Sequence, residues 1–232
     1  LEMRGGIRES TFDSHLENAR PLSPRHLRRE VTERIDRTGR VLAPLRRDEF
    51  ACEINALQRD EAASLAICFK HAFANAHNER LAGEWARELW PGVFLTISTD
   101  VSNRARLYDR VSTAVANSYV GPLTSRYVNA LENRLKLLGL NGNLLVMGGN
   151  GGVMAPRSAA EQPVRLVLSG PSAGPRAAVF TLEEIGKPAT AIVMDMGGTS
   201  LDVSVVEEGR VLTVSSRDVN RHRIATPMLD IQ

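Results

Sequence analysis

The stretch from residue 192 to residue 206 reads IVMDMGGTSLDVSVV. An apolar run of strand length ends in the carboxylate Asp195, two glycines and two hydroxyl side chains follow, and an alternating pattern then resumes at Leu201. This order predicts a buried strand over 190–196, a tight turn, and a returning strand over 201–207.

The turn itself carries residues that suit phosphate chemistry. Gly197 and Gly198 have no side chains, so phosphate oxygens can approach the backbone N–H groups, and successive inward N–H groups form an anion-binding nest. Thr199 and Ser200 add hydroxyl donors. Asp195, at the strand end, is placed to hold Mg²⁺ or to orient an attacking group.

Asp202 and the glycines also allow a purely structural interpretation. Asp-x-Gly-Gly is common in hairpins, where glycines satisfy turn geometry and the acid caps the turn. Asp202 either accepts backbone N–H bonds in this way or lies near the metal. The full strand-turn-strand context favours phosphate binding over the hairpin alternative.

The rest of the chain alternates between strand and helix patterns. Strand, helix and strand over 64–69, 78–89 and 93–98 predict a parallel crossover unit. The other predicted elements are a hairpin around Asp36–Gly39, helices over 46–59, 106–138 and 173–185, a strand over 143–147 and a hairpin turn at Glu208–Gly209. Pro122 is expected to kink or split the long helix. The fold class is therefore α/β, with a boundary near residues 104–109.

Two further loops are second-rank candidates for lining the cleft in which the turn after Asp195 would bind phosphate. Asn150, Gly151 and Gly152 lie in a glycine-rich loop directly after a predicted strand, where α/β sheets place ligand loops. Ser169 and Gly170 lie in a predicted strand-to-helix turn, and the helix that follows can aim its N-terminus at phosphate.

The histidines leave two interpretations open. His71 and His77, with Glu79, are either ligands or an acid/base pair, or they make local hydrogen bonds while Asn75 caps the helix, which is the favoured alternative. His222 lies between two arginines, and surface or subunit contact is favoured over catalysis there.

Composition excludes several classes of function. The net charge is +2, the arginines are scattered and aromatic residues make up 5% of the chain, so a nucleic-acid surface is not expected. Cys52 and Cys68 lie in apolar stretches without metal-site spacing, which predicts reduced, buried thiols and a cytoplasmic location. No apolar run approaches the roughly 20 residues that span a bilayer, so no membrane association is expected.

The turn resembles the second phosphate loop of the actin, heat-shock chaperone and sugar-kinase superfamily. It is more closely similar to the Asp-Met-Gly-Gly-Thr-Ser-x-Asp-Val run of the hydantoinase A / 5-oxoprolinase family. Further landmarks of that family occur in order along the chain: residues 24–27, 30–36, 39–45, 69–80, 112–122, 144–147, 150–154 and 168–171. Departures are Gly148-Gly149, where many relatives have Gln-Ser or similar, and Ala76, which replaces a frequent proline.

The resemblance implies a partial actin/sugar-kinase-like ATPase fold that uses ATP and magnesium. It implies residues 1–105 as the end of the family's N-terminal region and residues 106–232 as the start of its ATPase core. The family's first phosphate loop is expected before Leu1 and a later glycine-rich segment after Gln232, so the chain is expected to be an internal piece. Asp195 is the implied catalytic and metal-binding residue, and the implied phosphate-side residues are Gly197, Gly198, Thr199, Ser200 and Asp202.

The implied activity is phosphorylation of a cyclic amide, such as hydantoin, 5-oxoproline or a lactam, for ring-opening hydrolysis. The implied partner is a hydantoinase B-like subunit or domain, in an oligomeric assembly. An alternative is the ketone carboxylase chemistry of the same family. Alternatives of another class are an actin- or chaperone-like ATPase whose nucleotide drives conformational change, and a non-catalytic actin-like interaction module.

Overall fold

The computed structural model describes residues 12, 13, 15, 17, 19–186 and 190–232. The first 20 residues are weakly periodic, which predicts a loop, and most of them lie outside this range. The α-helices are α1 (Arg47–Arg59), α2 (His77–Leu89), α3 (Ser98–Val101), α4 (Leu107–Leu137), α5 (Pro156–Glu161) and α6 (Ser169–Glu184). Short 3-10 helices cover Arg25–Leu27 and Pro163–Leu166.

The strands are short, and most of them pair in twos. They are β1 (Arg34–Ile35), β2 (Val41–Ala43), β3 (Ser64–Ile67), β4 (Phe94–Ile97), β5 (Val146–Met147), β6 (Val153–Met154), β7 (Ala191–Met196), β8 (Leu201–Glu207), β9 (Arg210–Val211), β10 (Thr213–Val214), β11 (Arg217–Val219), β12 (His222–Ile224) and β13 (Met228–Leu229). The chain is therefore α/β, as predicted.

The chain forms two compact units. Unit 1 comprises Leu1–Pro122 and Asp218–Ala225, and unit 2 comprises Leu123–Arg217 and Thr226–Gln232. Helix α4 passes from one to the other and continues through Pro122 without a break, so the proline does not split the helix.

Unit 1 contains the predicted parallel crossover. Strands β3 and β4 pair in parallel, from Ser64 opposite Phe94 to Ile67 opposite Ile97, and α2 connects them. Apolar residues of α1, α2 and β3 form its core, consisting of Leu45, Phe50, Ile54, Leu57, Leu65, Ile67, Ala82 and Ala86. The parallel crossover predicted over 64–98 is therefore present, and its helix buries Ala82 and Ala86 against the strand.

The predicted hairpin around Asp36 is present but shorter than expected. Oδ1 of Asp36 accepts the hydroxyl of Thr38 at 2.6 Å and the amides of Thr38 and Arg40 at 2.8 and 3.0 Å. The Thr38 hydroxyl is the main reason that the pKa of Asp36 lies below its ordinary value. Gly39 has a φ of +87°, a conformation that favours glycine.

A buried carboxylate organises the end of the crossover. Glu79 is fully buried. Its Oε1 accepts the Phe69 amide at 2.7 Å and the Ser98 hydroxyl at 2.6 Å. Its Oε2 accepts the amide and hydroxyl of Thr99 at 3.1 and 3.0 Å. One side chain of α2 therefore ties together the segments that follow β3 and β4.

A buried arginine completes this network. Arg110, on α4, donates from Nε to the Ser98 hydroxyl at 2.9 Å, from Nη1 to the Arg104 carbonyl at 2.8 Å and from Nη2 to the Lys70 carbonyl at 3.0 Å. Nη2 also donates to the Phe69 carbonyl. The Ser98 hydroxyl thus links the cation to the Glu79 carboxylate, and these polar groups are all satisfied, as burial requires.

The two cysteines differ in environment. Cys52 is exposed, so the prediction that it is buried is wrong: it lies on the outer side of α1. Cys68 is partly buried, and burial raises the pKa of its thiol to about 11, so it is protonated and unreactive at neutral pH. In the described part of the chain, no helix has both the length and the apolar character needed to span a membrane.

Unit 2 is built around an antiparallel three-stranded sheet in the order β7-β8-β9. Gly209, with a φ of +76°, lies in the predicted turn between β8 and β9. A core of unit 2 is formed by Val206, Val211, Leu229 and Ile231, with Val179 and Val193 packed against them. Val179 belongs to α6, which therefore covers one face of the sheet.

Replacing Glu79 with glutamine is expected to destabilise unit 1 by about 3 kcal/mol, because an amide NH₂ would face groups that now donate hydrogen bonds to a carboxylate. Urea unfolding followed by circular dichroism measures the change. Glu84→Gln, at an exposed position of the same helix, is the matched control. Equal stability of the two variants would show that the network does not hold the crossover together.

Candidate phosphate-binding site

The candidate site lies where β7 turns into β8. The two strands pair from Ala191 opposite Val206 to Met196 opposite Leu201, which places Asp195 directly opposite Asp202. Directly opposed residues of an antiparallel pair point to the same face, and two like charges in that position repel each other. Two carboxylates on one face supply the hard oxygen ligands that a divalent cation prefers.

One face of this hairpin packs against α6. Val193 and Val206, which share the face of Asp195, lie in the core with Val179. A Cβ atom added to Gly174 of α6 would lie 3.8 Å from Oδ2 of Asp195. The carboxylate therefore lies beside the second turn of α6. Gly174 was not among the predicted site residues, and only its place in the fold identifies it.

The opposite face of β7 is open. Ile192, Met194 and Met196 are 71%, 65% and 80% exposed. The prediction that the strand is buried is therefore wrong for this face, because in the described residues α6 covers only the other one.

The turn offers several hydrogen-bond donors. The amide of Gly197 donates to the Ser200 carbonyl at 3.0 Å. Within the described ranges, the amides of Gly198, Thr199 and Ser200 have no hydrogen-bond partner, and neither do the hydroxyls of Thr199 and Ser200. The same holds for the carboxylates of Asp195 and Asp202, so Asp202 does not cap the turn. The turn thus presents free donors beside two free acids.

The two glycines of the turn are not there for backbone geometry. Neither Gly197 nor Gly198 has a positive φ. A Cβ on Gly198 would meet no heavy atom within 4 Å. Any small residue would fit this backbone, so the hairpin alone does not account for glycine here. The absence of side chains instead leaves the amides accessible, as phosphate binding requires.

The second-rank loop around Asn150 differs from this turn. The amide of Gly148 donates to the Gly152 carbonyl at 2.8 Å, that of Gly149 to the Arg165 carbonyl at 2.8 Å, and that of Gly151 to the Gly148 carbonyl at 2.9 Å. The amide of Gly152 donates to Oδ1 of Asn150 at 3.0 Å. All four glycine amides are occupied, so none of these four is available to a phosphate. Its predicted place in the cleft stays a prediction.

Ser169 and Gly170 lie in a helix, not in a turn before one. Helix α6 begins at Ser169, four residues earlier than predicted, after Leu168 in the left-handed conformation at φ +59°. In the part of the chain that the structure describes, the amides of Ser169 and Gly170 have no partner. They are the N–H groups that a helix N-terminus presents to an anion.

His71 and Asn75, just before α2, bond to backbone carbonyls of the hairpin around Asp36. His71 Nδ1 contacts the Ile35 carbonyl at 2.6 Å, and Asn75 Nδ2 donates to the Gly39 carbonyl at 2.8 Å. Oδ1 of Asn75 accepts the amide of His77, the first residue of α2. The bonds of His71 and Asn75 to the two carbonyls each span 36 residues, so the expectation of purely local bonds is wrong, and the N-cap of α2 is Ala76 instead of Asn75. Among the described residues, no group of three or more His, Cys, Asp or Glu side chains is arranged to hold a metal.

The fold and the geometry define an α/β protein that joins a parallel crossover unit to an antiparallel hairpin carrying paired carboxylates. The chain belongs to the hydantoinase/oxoprolinase family: the family model for hydantoinase/oxoprolinase matches residues 110–232, and that for the hydantoinase/oxoprolinase N-terminal region matches residues 1–90. The resemblance seen in the sequence is confirmed.

Relatives in the family have different named activities. The caprolactamase subunit alpha of Pseudomonas jessenii is 30% identical over 234 residues, covering 100% of this chain and 34% of the relative. The 5-oxoprolinase of Saccharomyces cerevisiae is 29% identical over 168 residues, covering 72% of this chain and 13% of the relative. This chain therefore spans about a third of the first relative's length, and less of the second's.

Two solved structures share the fold. The crystal structure of ATP-dependent caprolactamase from Pseudomonas jessenii superposes with a TM-score of 0.89 at 29% identity, covering 100% of this chain and 34% of the other. The nucleotide-free structure of acetone carboxylase, described as part of the mechanism of ATP-dependent acetone carboxylation, gives a TM-score of 0.81 at 26% identity. The match covers 92% of this chain and 30% of the other.

Replacing Gly198 with alanine tests whether glycine serves the fold or a ligand. We expect stability within about 0.5 kcal/mol of the wild type, since the methyl group meets open space and the backbone needs no positive φ. Thermal unfolding measures this, with Gly142→Ala as the control at another open glycine. A loss of more than about 1.5 kcal/mol would favour the structural interpretation of the turn.

Proposed function

We propose that this chain belongs to an ATP-dependent enzyme subunit that activates a cyclic amide by phosphorylation, so that its ring can be hydrolysed. The observation that carries the proposal is the turn after β7, where three free amides and two free hydroxyls lie next to two unpaired carboxylates. The names of the caprolactamase and 5-oxoprolinase relatives supply the substrate class.

The residues of the turn fit ATP and Mg²⁺. Gly197 and Gly198 leave the backbone accessible, and the amides of Gly198, Thr199 and Ser200 are free to donate to phosphate oxygens. The hydroxyls of Thr199 and Ser200 add donors of the same kind. Asp195, a hard oxygen ligand, would hold Mg²⁺, which when bound neutralises charge on the terminal phosphates.

The position of Asp202 opposite Asp195 supports a metal site at this end of the hairpin. With both carboxylates ionised and opposed across the hairpin, the pair repels itself, and a cation between them removes that repulsion. Asp195 also lies beside α6, whose N-terminal amides at Ser169 and Gly170 are free to donate to an anion. Asn150, Gly151 and Gly152 complete the proposed lining through shape and the Asn150 side chain.

The proposed reaction needs no covalent bond between the protein and the substrate. A cyclic amide resists hydrolysis because its oxygen and nitrogen share electron density. Transfer of the terminal phosphoryl group of ATP to the amide oxygen creates a good leaving group, with ADP released. In that step this chain's residues position the phosphates and offset their charge, which is the main protein contribution in phosphoryl transfer.

The wider arrangement follows the family. We propose that the chain works in an actin-like ATPase fold, with residues 106–232 in the ATPase core, together with a hydantoinase B-like partner in a cytoplasmic oligomer. The names of the relatives as subunits support a multi-subunit enzyme. Ketone carboxylation is the second candidate, because the acetone carboxylase structure matches 92% of this chain.

The test measures ADP release by the complete enzyme in which this chain works, in the presence of caprolactam, 5-oxoproline, hydantoin, or acetone with bicarbonate. We expect stimulation by a cyclic amide and a ring-opened product. Stimulation only by the ketone would make the enzyme a carboxylase. ATP hydrolysis unaffected by any of these compounds, or no hydrolysis, would contradict the proposed amide chemistry and favour an actin-like module.

Asp195→Asn separates this role from a structural one. ATP turnover is expected to fall at least about 100-fold, while metal-free stability is unchanged or rises by roughly 0.2–1 kcal/mol because the repulsion with Asp202 is removed. Glu207→Gln, at the far end of the same hairpin, is the control and should retain full turnover. Undiminished turnover by Asp195→Asn would rule out its assignment.

A further inference from the structure

The glycine-rich loop over 148–152 packs closely against its surroundings. Gly148 and Gly149 are buried. A Cβ on Gly149 would lie 2.2 Å from the Val167 carbonyl oxygen, so only glycine fits this close approach. The Gly149 carbonyl accepts the amide of Leu229 at 2.8 Å. The loop is therefore held against two segments that are distant in sequence, one at residues 165–167 and one at residue 229.

Ser172 connects this loop to α6. Its side chain is fully buried, and its Oγ lies 2.9 Å from the Gly148 carbonyl and 2.7 Å from the Ser169 carbonyl. A hydroxyl has one hydrogen, which these two acceptors share. The bond to Gly148 spans 24 residues of sequence and fixes the first turn of α6 against the loop.

The same turn of α6 contains the free amides of Ser169 and Gly170. The helix is entered through Leu168 at φ +59°, an uncommon conformation for a large side chain that its surroundings must hold in place. Two residues after Ser172, Gly174 lies beside the Asp195 carboxylate. Ser172 therefore lies between the loop and the part of α6 that faces the candidate site.

We propose that Ser172 is a positioning residue for nucleotide binding, which rests on the proposed function of the turn. The glycine loop acts as a rigid support: its four glycine amides are hydrogen-bonded within the loop or to Arg165, and through Ser172 the loop sets the direction in which the Ser169 and Gly170 amides point. Phosphate is bound by those two amides and by the turn after β7, and not by the glycine amides of the loop.

The test compares three variants of the complete enzyme by ATP kinetics and by hydrogen exchange. In Ser172→Ala, KM for ATP should rise roughly tenfold, about the effect of one lost buried hydrogen bond, with kcat within about twofold. Amides over 148–152 and 169–174 should exchange faster, with those of β8 unchanged. Ser158→Ala, at an exposed position of α5, should match the wild type.

Ser172→Thr keeps the hydroxyl but adds a methyl group at a buried position. It should retain the KM of the wild type even if its Tm falls, which separates positioning from stability. An unchanged KM in Ser172→Ala, or unchanged exchange at the N-terminus of α6, would overturn the proposal.

Failure of the proposed function has a different signature. In that case Asp195→Asn would leave ATP turnover intact, whatever Ser172→Ala does. Hydrogen exchange at 169–174 measured without nucleotide tests the effect of Ser172 on this helix end even then.

Discussion

The register between β7 and β8 is the constraint on which the candidate site depends. It places Asp195 opposite Asp202 and leaves four residues to form the turn. Packing of Val193 and Val206 against α6 fixes this register. A slip of β7 by one residue would turn Val193 to solvent and move Asp195 to the face opposite Asp202. Apolar contacts with α6 therefore hold the two acids opposite each other. These contacts outweigh the repulsion between the acids.

The two units use polar residues in opposite ways. In unit 1, the ends of the parallel strands, where many α/β proteins bind ligands, are filled by Glu79, Ser98 and Arg110, which satisfy one another and nearby backbone groups. In unit 2, Asp195 and residues 198–200 are exposed and Asp202 is half-buried, and neither the two acids nor the free donors of the turn have a partner within the described residues. Satisfied polar groups stabilise a fold, and unsatisfied ones that solvent reaches are available for a ligand. This contrast is the reason for proposing the nucleotide site in unit 2.

Much of this arrangement could be predicted from the sequence. Local patterns were sufficient for α1, α2, the parallel pair β3 and β4, and the hairpin of β7 and β8, because helix and strand periods and turn residues are local signals. The turn between β7 and β8 was located for the same reason, and its binding of phosphate stays a prediction. What the sequence did not show depends on distant partners. The amide of Gly149 is occupied by Arg165, and α6 begins at Ser169 after a left-handed Leu168. The exposure of Ile192 and Met194 likewise depends on which faces other elements cover.

The most direct test is a structure of the complete enzyme with Mg²⁺ and a non-hydrolysable ATP analogue. The account predicts that the terminal phosphates accept hydrogen bonds, at about 2.9 Å, from amides of the turn between Gly197 and Leu201, with the metal next to Asp195. If the triphosphate is instead bound elsewhere, with these amides hydrogen-bonded to other parts of the protein, the turn has no role in nucleotide binding and the central claim is wrong.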